Sequence, residues 1–276
     1  MSDSRPFEPA ALLSALDVPR NGVLYVQSSA DWLQRAGIGA PEMLSTLIDW
    51  AGSEGTLVMP SYPFHSSHAE YLASNPVFDA RRTPARIGLL PEMFRRFPHV
   101  VRSLDPDFCV CARGAEAGAI VGAAPAEPDP FGPDSSYQRM LDRGTTLVGL
   151  GVSLNTNSFI HVIDSRAGCR YPVPAYEEHE YTTTVIDGDG LSRVVRRACL
   201  RPPFQELTKP SAIGLVMQPS TTMFATLEIG GARFFKWDLK AWSAWSLSHA
   251  ATQAARGEWP CWLARLADAF PPAQPS

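Results

Sequence analysis

The chain has no hydrophobic run approaching the roughly 20 residues that a membrane helix needs. Its opening stretch, MSDSRPFEPAALL, has no basic segment leading into a long apolar one. No membrane partner is expected, and the sequence reads as that of a cytoplasmic protein. Charge is also scarce: Lys, Arg, Asp and Glu make up 19% of 276 residues, the formal net charge is -4, and no Lys/Arg run stands out. Such a surface offers no field for a phosphate backbone, which argues against nucleic acid as a partner.

Cysteine is sparse and odd in number, five in all. The one close pair, Cys109 and Cys111, is spaced CxC where a metal knuckle usually has CxxC. Alternation in residues 108–112 puts both thiols on one face of a strand, so buried thiols in a reducing compartment are expected. His65 and His68 have no Cys or Asp neighbour to complete a ligand set. They read as loop residues, and no metal is expected. The Gly-x-Ser-x-Gly elbow, the Gly-x-Gly-x-x-Gly fingerprint and the Walker loop are all missing.

What is present is a 45% hydrophobic chain long enough for a substantial core. Residues 23–26, 56–59 and 145–152 are short apolar runs that read as buried strands. Helical spacing runs through 41–50 and through 87–97, where Leu89, Leu90, Met93, Phe94 and Phe97 recur. Strands alternating with helices predict an α/β fold with a central, largely parallel sheet and flanking helices. From Glu180 onward the pattern changes. Asp187-Gly188-Asp189-Gly190 marks a hairpin between 181–186 and 191–200, strand-like stretches lie at 214–218 and 223–229, a turn at Gly230-Gly231, and a closing helix at 238–255. A single domain over 1–276 is expected, with an α/β core in 1–175 and antiparallel strands plus a closing helix in 176–276. Residues 123–133 read as a surface loop.

Ligands of such sheets bind beyond the carboxyl ends of the strands, which draws attention to three segments. Gln27-Ser28-Ser29 follows the first strand and can hydrogen-bond a ligand, or can cap the next helix. Phe131-Gly132-Pro133-Asp134-Ser135 opens a helix whose free N–H groups can receive a phosphate; plain capping accounts for it equally well. The third segment is 158–164. With a helix beginning near Thr156, Ser158, His161 and Asp164 share one face, and a carboxylate beside an imidazole fixes its tautomer and stabilises the imidazolium. A hydrogen-bonded structural histidine is the alternative.

Taken in order, Leu24-Tyr25-Val26-Gln27-Ser28-Ser29, Gly55-Thr56-Leu57-Val58-Met59-Pro60-Ser61, Phe78-Asp79, Thr83-Pro84, Ile87-Gly88, Arg102-Ser103-Leu104-Asp105-Pro106, Phe131 to Ser135, and Asn157 to Asp164 resemble the aminoglycoside 3-N-acetyltransferase family. The resemblance runs from about residue 10 to 255. It implies an enzyme that takes acetyl-CoA or another acyl-CoA as cosubstrate and transfers the acyl group directly to an amino group of an aminoglycoside or other amino sugar. His161 would occupy the position of the family's base, with Ser158 where relatives have threonine. Gln27, Ser28, Ser29, Phe131, Gly132 and Ser135 would lie on the CoA side, and Ser61 would hold the thioester carbonyl. Many relatives have His at Gln27, His at Asp105 and Glu at Asp164, departures that bear on the choice of amine. A CoA-independent Ser/His hydrolase and a catalytically inactive binding protein are the competing classes.

Overall fold

The runs around Leu24, Leu57 and Leu147 are buried on both sides, and they form the middle of the molecule. The computed structural model describes residues 8–266 except 36, 168–170, 172 and 217–222. Its strands are β1 (Val23–Ser28), β2 (Thr56–Pro60), β3 (Val77–Asp79), β4 (Val101–Arg102), β5 (Val110–Gly114), β6 (Thr146–Leu150), β7 (Tyr176–Ile186), β8 (Ser192–Leu200), β9 (Phe224–Ile229) and β10 (Ala232–Asp238). Its helices are α1 (Pro9–Ala15), α2 (Ala30–Arg35), α3 (Ala40–Ala51), α4 (His68–Ala73), α5 (Leu89–Arg95), α6 (Ala117–Val121), α7 (Ser136–Asp142), α8 (Ile160–Ala167), α9 (Pro202–Leu207), α10 (Ser211–Val216) and α11 (Leu239–Ala254). No helix among the described residues is long and apolar enough to cross a membrane.

The main sheet has seven strands in the order β4-β5-β2-β1-β6-β10-β9. Its centre, β2-β1-β6, is parallel. Both flanks, β4-β5-β2 and β6-β10-β9, are antiparallel. The α/β class is as expected, with the parallel pairing of the main sheet confined to its centre; β3 and β7 of the second sheet also pair in parallel. The antiparallel strands of the C-terminal half divide: β9 and β10 complete the main sheet, whereas the β7–β8 hairpin forms a second sheet with β3.

Alternation along the strands sends Leu24, Val26, Leu57, Met59, Val148 and Leu150 to one face, beneath Met43, Leu44 and Leu47 of α3. Tyr25, Val58 and Leu147 go to the other, beneath residues of α7, α8 and α11. Each fully buried aliphatic side chain there contributes about 1.5–3 kcal/mol. Gly149 is paired with Phe235, and a Cβ on it would lie 2.1 Å from that ring, so only glycine lets β10 close against β6.

Two expectations are corrected. Residues 211–216 are helix α10, not part of a strand; a short apolar run does not distinguish the two, and here it follows Pro210 with Ile213 fully buried. Residues 217 and 218 lie outside the described residues. His68 is not a loop residue but begins α4, buried at 4% exposure.

Candidate active site

Because β1, β2 and β6 are parallel, their carboxyl ends open on one edge and bring residues 27–29, 60–62 and 151–158 together. A cavity of about 240 Å³ lies there, lined by Gln27, Ser28, Pro60, Tyr62, Ile87, Pro91, Val152, Thr156 and Ser158. Val152 also borders a wider cavity of about 420 Å³, whose walls carry Ser29, Ser153, Arg35 and Arg233 together with Asp31 and Glu228.

Gln27 is buried, and its amide faces Thr156. Its Nε2 donates to the Thr156 carbonyl at 2.6 Å, and its Oε1 lies 3.2 Å from Thr156 Oγ1, whose proton has the Ser153 carbonyl as a closer acceptor at 2.7 Å. Gln27 therefore joins β1 to the turn ahead of α8 and leaves Ser28 as the β1 residue whose side chain is not engaged in that link.

Helix α8 starts at Ile160, later than the spacing suggests, because Leu154–Thr156 forms a 3-10 turn. The buried Asn157 then caps the new start, its Oδ1 accepting from the Phe159 N–H at 3.0 Å. Ser158 sits just ahead of the helix, on the cavity wall. Its Oγ accepts from Tyr62 Oη at 2.9 Å and donates to the Thr156 carbonyl at 3.4 Å.

His161 lies in the first turn of α8 and does not itself line the 240 Å³ cavity. Its side chain is 18% exposed, its Nδ1 is 3.3 Å from Asp164 Oδ2, and its ring packs on Phe131 at 5.2 Å. Asp164 is fully buried, and its other oxygen accepts from Tyr171 Oη at 2.9 Å and Trp262 Nε1 at 3.2 Å. With Oδ1 occupied by two donors, Oδ2 takes the Nδ1 proton of His161, and Nε2 keeps the free lone pair. Burial, with the Asp164 charge beside it, pushes the Tyr171 phenol well above its usual pKa, so it remains a donor.

The loop before α7 does not reach either cavity. Ser135 caps α7 by accepting from the Gln138 N–H at 3.1 Å, Gly132 is held in the turn following Asp129, and Phe131 is fully buried under His161. Ser61 follows the alternation of β2: Pro60 and Tyr62 line the cavity, while Ser61 is buried on the other side next to the Cys109 and Cys111 thiols. Its carbonyl accepts from Arg102 at 2.6 Å. The structure thus gathers Gln27, Ser28 and Ser158 at one cavity with His161 and Asp164 one turn away, places Ser29 in the neighbouring cavity, and separates Ser61, Gly132 and Ser135 from both.

The family model for aminoglycoside 3-N-acetyltransferases matches residues 25–244. The chain belongs to this family. The aminoglycoside N(3)-acetyltransferase VII of Streptomyces paromomycinus is 32% identical to it over 175 residues, 58% of each chain. The aminoglycoside N(3)-acetyltransferase IV of a Salmonella species is 31% identical over 172 residues, 62% of this chain and 63% of that one. The alignment therefore spans about three fifths of these curated relatives. Among solved structures, the apoenzyme of aminoglycoside acetyltransferase AAC(3)-IVa superposes with a TM-score of 0.69 at 23% identity, covering 95% of this chain and 96% of that one. AAC-IIIb bound to CoASH gives a TM-score of 0.68 at 21% identity, covering 97% of each chain. Both likenesses establish the fold.

In this aminoglycoside 3-N-acetyltransferase family member, the structure also brings in residues that the sequence did not single out. Tyr25, Tyr62 and Tyr137 join hydroxyls behind Ser158. Arg197, fully buried, binds Asp105 and Asp107, and His68 bonds Asp107 at 2.8 Å. Burial opposes ionisation of both carboxylates; at Asp107 the Arg197 guanidinium and His68 more than offset it, and its carboxyl lies well below the usual range. Asp105 shares the same guanidinium, but burial, only partly offset by Arg197 and reinforced by the Asp107 charge, pushes its carboxyl well above the usual range. No group of three or more His, Cys, Asp or Glu side chains fit for a metal occurs among the described residues.

Proposed function

We propose that this chain is an acyl-CoA-dependent N-acyltransferase that acylates an amino group of an aminoglycoside or related amino sugar, with His161 as general base. The observation that carries the reading is the His161–Asp164 pair, with Nδ1 engaged by the carboxylate and the imidazole side chain 18% exposed, one turn from the cavity wall at Ser158. An alkylammonium is protonated near neutral pH and does not attack a thioester until its proton is removed. His161 Nε2 accepts that proton, and Asp164 stabilises the imidazolium. The amine nitrogen bonds to the carbonyl carbon, the carbon–sulfur bond breaks, and coenzyme A leaves as a thiolate that takes up the second nitrogen proton, so a neutral amide and a thiol result.

The two cavities fit an acyl thioester chemically. Pro60, Ile87, Pro91 and Val152 give the smaller one an apolar wall suited to the acyl and thiol end, and Ser28 and Gln27 add polar groups. In the adjoining one Arg35 offers a cationic group for a phosphate, while Arg233 is paired with Glu228 at 2.9 Å. Acetyl-CoA supplies the activated acyl group; the protein's own work is to hold it, deprotonate the amine and stabilise the oxyanion. The assay is incubation with acetyl-CoA and a panel of amino sugars and aminoglycosides, following thiol release, beside thermal shifts with CoA. Turnover with an amino sugar and a raised Tm are expected, since saturation at about 100-fold over Kd adds about 2.7 kcal/mol to the folded state. Acyl transfer to water alone, or no Tm change with CoA, would overturn the reading.

A further inference from the structure

Three tyrosines from separate parts of the chain converge behind the cavity: Tyr25 in β1, Tyr62 just beyond β2, and Tyr137 in α7. Their hydroxyls touch, with Tyr25 to Tyr137 at 3.2 Å, Tyr25 to Tyr62 at 3.5 Å, and Tyr62 in hydrogen-bond contact with Tyr137. Tyr62 Oη donates to Ser158 Oγ at 2.9 Å. Each phenol has a single proton. Tyr62 commits its proton to Ser158 and must therefore accept from Tyr137, and Tyr137 in turn must accept from Tyr25. The protons are ordered from Tyr25 through Tyr137 and Tyr62 to Ser158.

This order decides what Ser158 can do. Its Oγ already accepts, and among the described residues its own proton has only the Thr156 carbonyl at 3.4 Å, a long and weak bond. A stronger acceptor arriving in the cavity, which Ser158 and Tyr62 both line, captures that proton.

We propose that the tyrosine relay makes Ser158 the hydroxyl donor to the acyl carbonyl oxygen, with Tyr62 as the residue that directs the Ser158 proton into the cavity. The inference rests on the N-acyltransferase reading. As the amine nitrogen bonds to the carbonyl carbon, the π pair moves onto oxygen, and Ser158 donates a hydrogen bond to it without giving up the proton. The pair returns when the carbon–sulfur bond breaks; the ammonium proton is on His161, and the second nitrogen proton goes to the departing thiolate. Ser158 forms no covalent bond. Aligned hydrogen bonds polarise one another, so each phenol behind Ser158 makes it a better donor. Burial raises the pKa of all three phenols, which keeps them protonated across the assay range.

The test compares wild type with Ser158→Ala, Ser158→Thr, Tyr62→Phe and Tyr137→Phe in steady-state kinetics, with Tm measured on the same preparations. Loss of an oxyanion donor lowers kcat about 10²–10³-fold, the effect expected of Ser158→Ala. Ser158→Thr should restore most of the rate. Tyr62→Phe removes one supporting hydrogen bond and should lower kcat about 2–12-fold with KM for both substrates little changed. Tyr137→Phe, one step further back, should have a smaller effect in the same direction. A neutron structure should find the Tyr62 proton on the Ser158 side. An active wild type whose Tyr62→Phe variant keeps full kcat per folded molecule, or a Ser158 proton pointing at Tyr62, would overturn the relay alone. A folded wild type that binds CoA yet acylates no amine would overturn the function reading and the role of Ser158 with it.

Discussion

Replacing Arg197 with methionine removes the guanidinium at the centre of a cluster in which Arg197 and Asp107 are both fully buried and Asp105 is 5% exposed. Arg197 Nη2 approaches Asp105 Oδ2 at 2.9 Å and Asp107 Oδ1 at 2.6 Å, and its Nε bonds Asp107 as well. Methionine retains much of the volume, so the cost comes from stranding a buried carboxylate. Breaking a buried ion pair from one side costs about 3–5 kcal/mol. For a chain of this size each kcal/mol moves Tm by about 2 °C, so a fall of about 6–10 °C is expected by calorimetry or circular dichroism. The cluster also shapes the loop at 105–108, since Asp105 Oδ1 accepts from the Asp107 and Phe108 N–H groups. Phe108 packs on Tyr62 and Phe131, and Phe131 packs on His161, so the variant should also lose activity per folded molecule. Adding Asp105→Asn and Asp107→Asn to Arg197→Met should recover part of the lost stability. A single Arg197→Met variant melting within about 2 °C of wild type would refute the reasoning.

Gly149→Ala places a Cβ 2.1 Å from the Phe235 ring inside the main sheet, and overpacking of this kind costs about 1–3 kcal/mol, readable as a lower urea midpoint. Glu92 provides a pH test: although burial raises its pKa, bonds from Arg95, the Ala85 N–H and Arg96 hold it at about 2, against 4.5 for a free Glu. Its folded pKa is depressed, so its contribution is fully present above about 4.5 and is lost as pH falls toward 2. The stability difference between wild type and Glu92→Gln, followed by denaturant titration, should be constant above pH 5 and shrink through that window.

The scaffold was legible because the hydrophobic effect writes it locally. The runs at β1, β2 and β6, the periodicities of α3 and α5, the Asp-Gly turn between β7 and β8, and the Gly230-Gly231 turn each follow from a few adjacent residues. The strand expected at 214–218 misled because a short apolar run fits a helix and a strand alike, and 214–216 close the helix α10 that buries Ile213. Ser158 lies ahead of α8 and reaches the cavity through the turn, whereas the His161–Asp164 pair could be found from its spacing. The donors to Asp164 could not, because Tyr171 and Trp262 reach it across 7 and 98 residues. The same holds for the tyrosine relay, whose members look like ordinary core aromatics until the sheet brings Tyr25 and Tyr62 beside α7. At Ser135 the local rule, an N-cap, was sufficient by itself.

The role of His161 as base is tested most directly by His161→Ala, with kcat, CoA binding and Tm measured on one preparation. A general base is worth about 10²–10⁴ in rate, so kcat per folded molecule should fall by that factor while CoA affinity is retained, and the remaining activity should shift to higher pH, where free amine forms without help. A folded alanine variant with wild-type kcat, changed only in its melting temperature, would contradict the account.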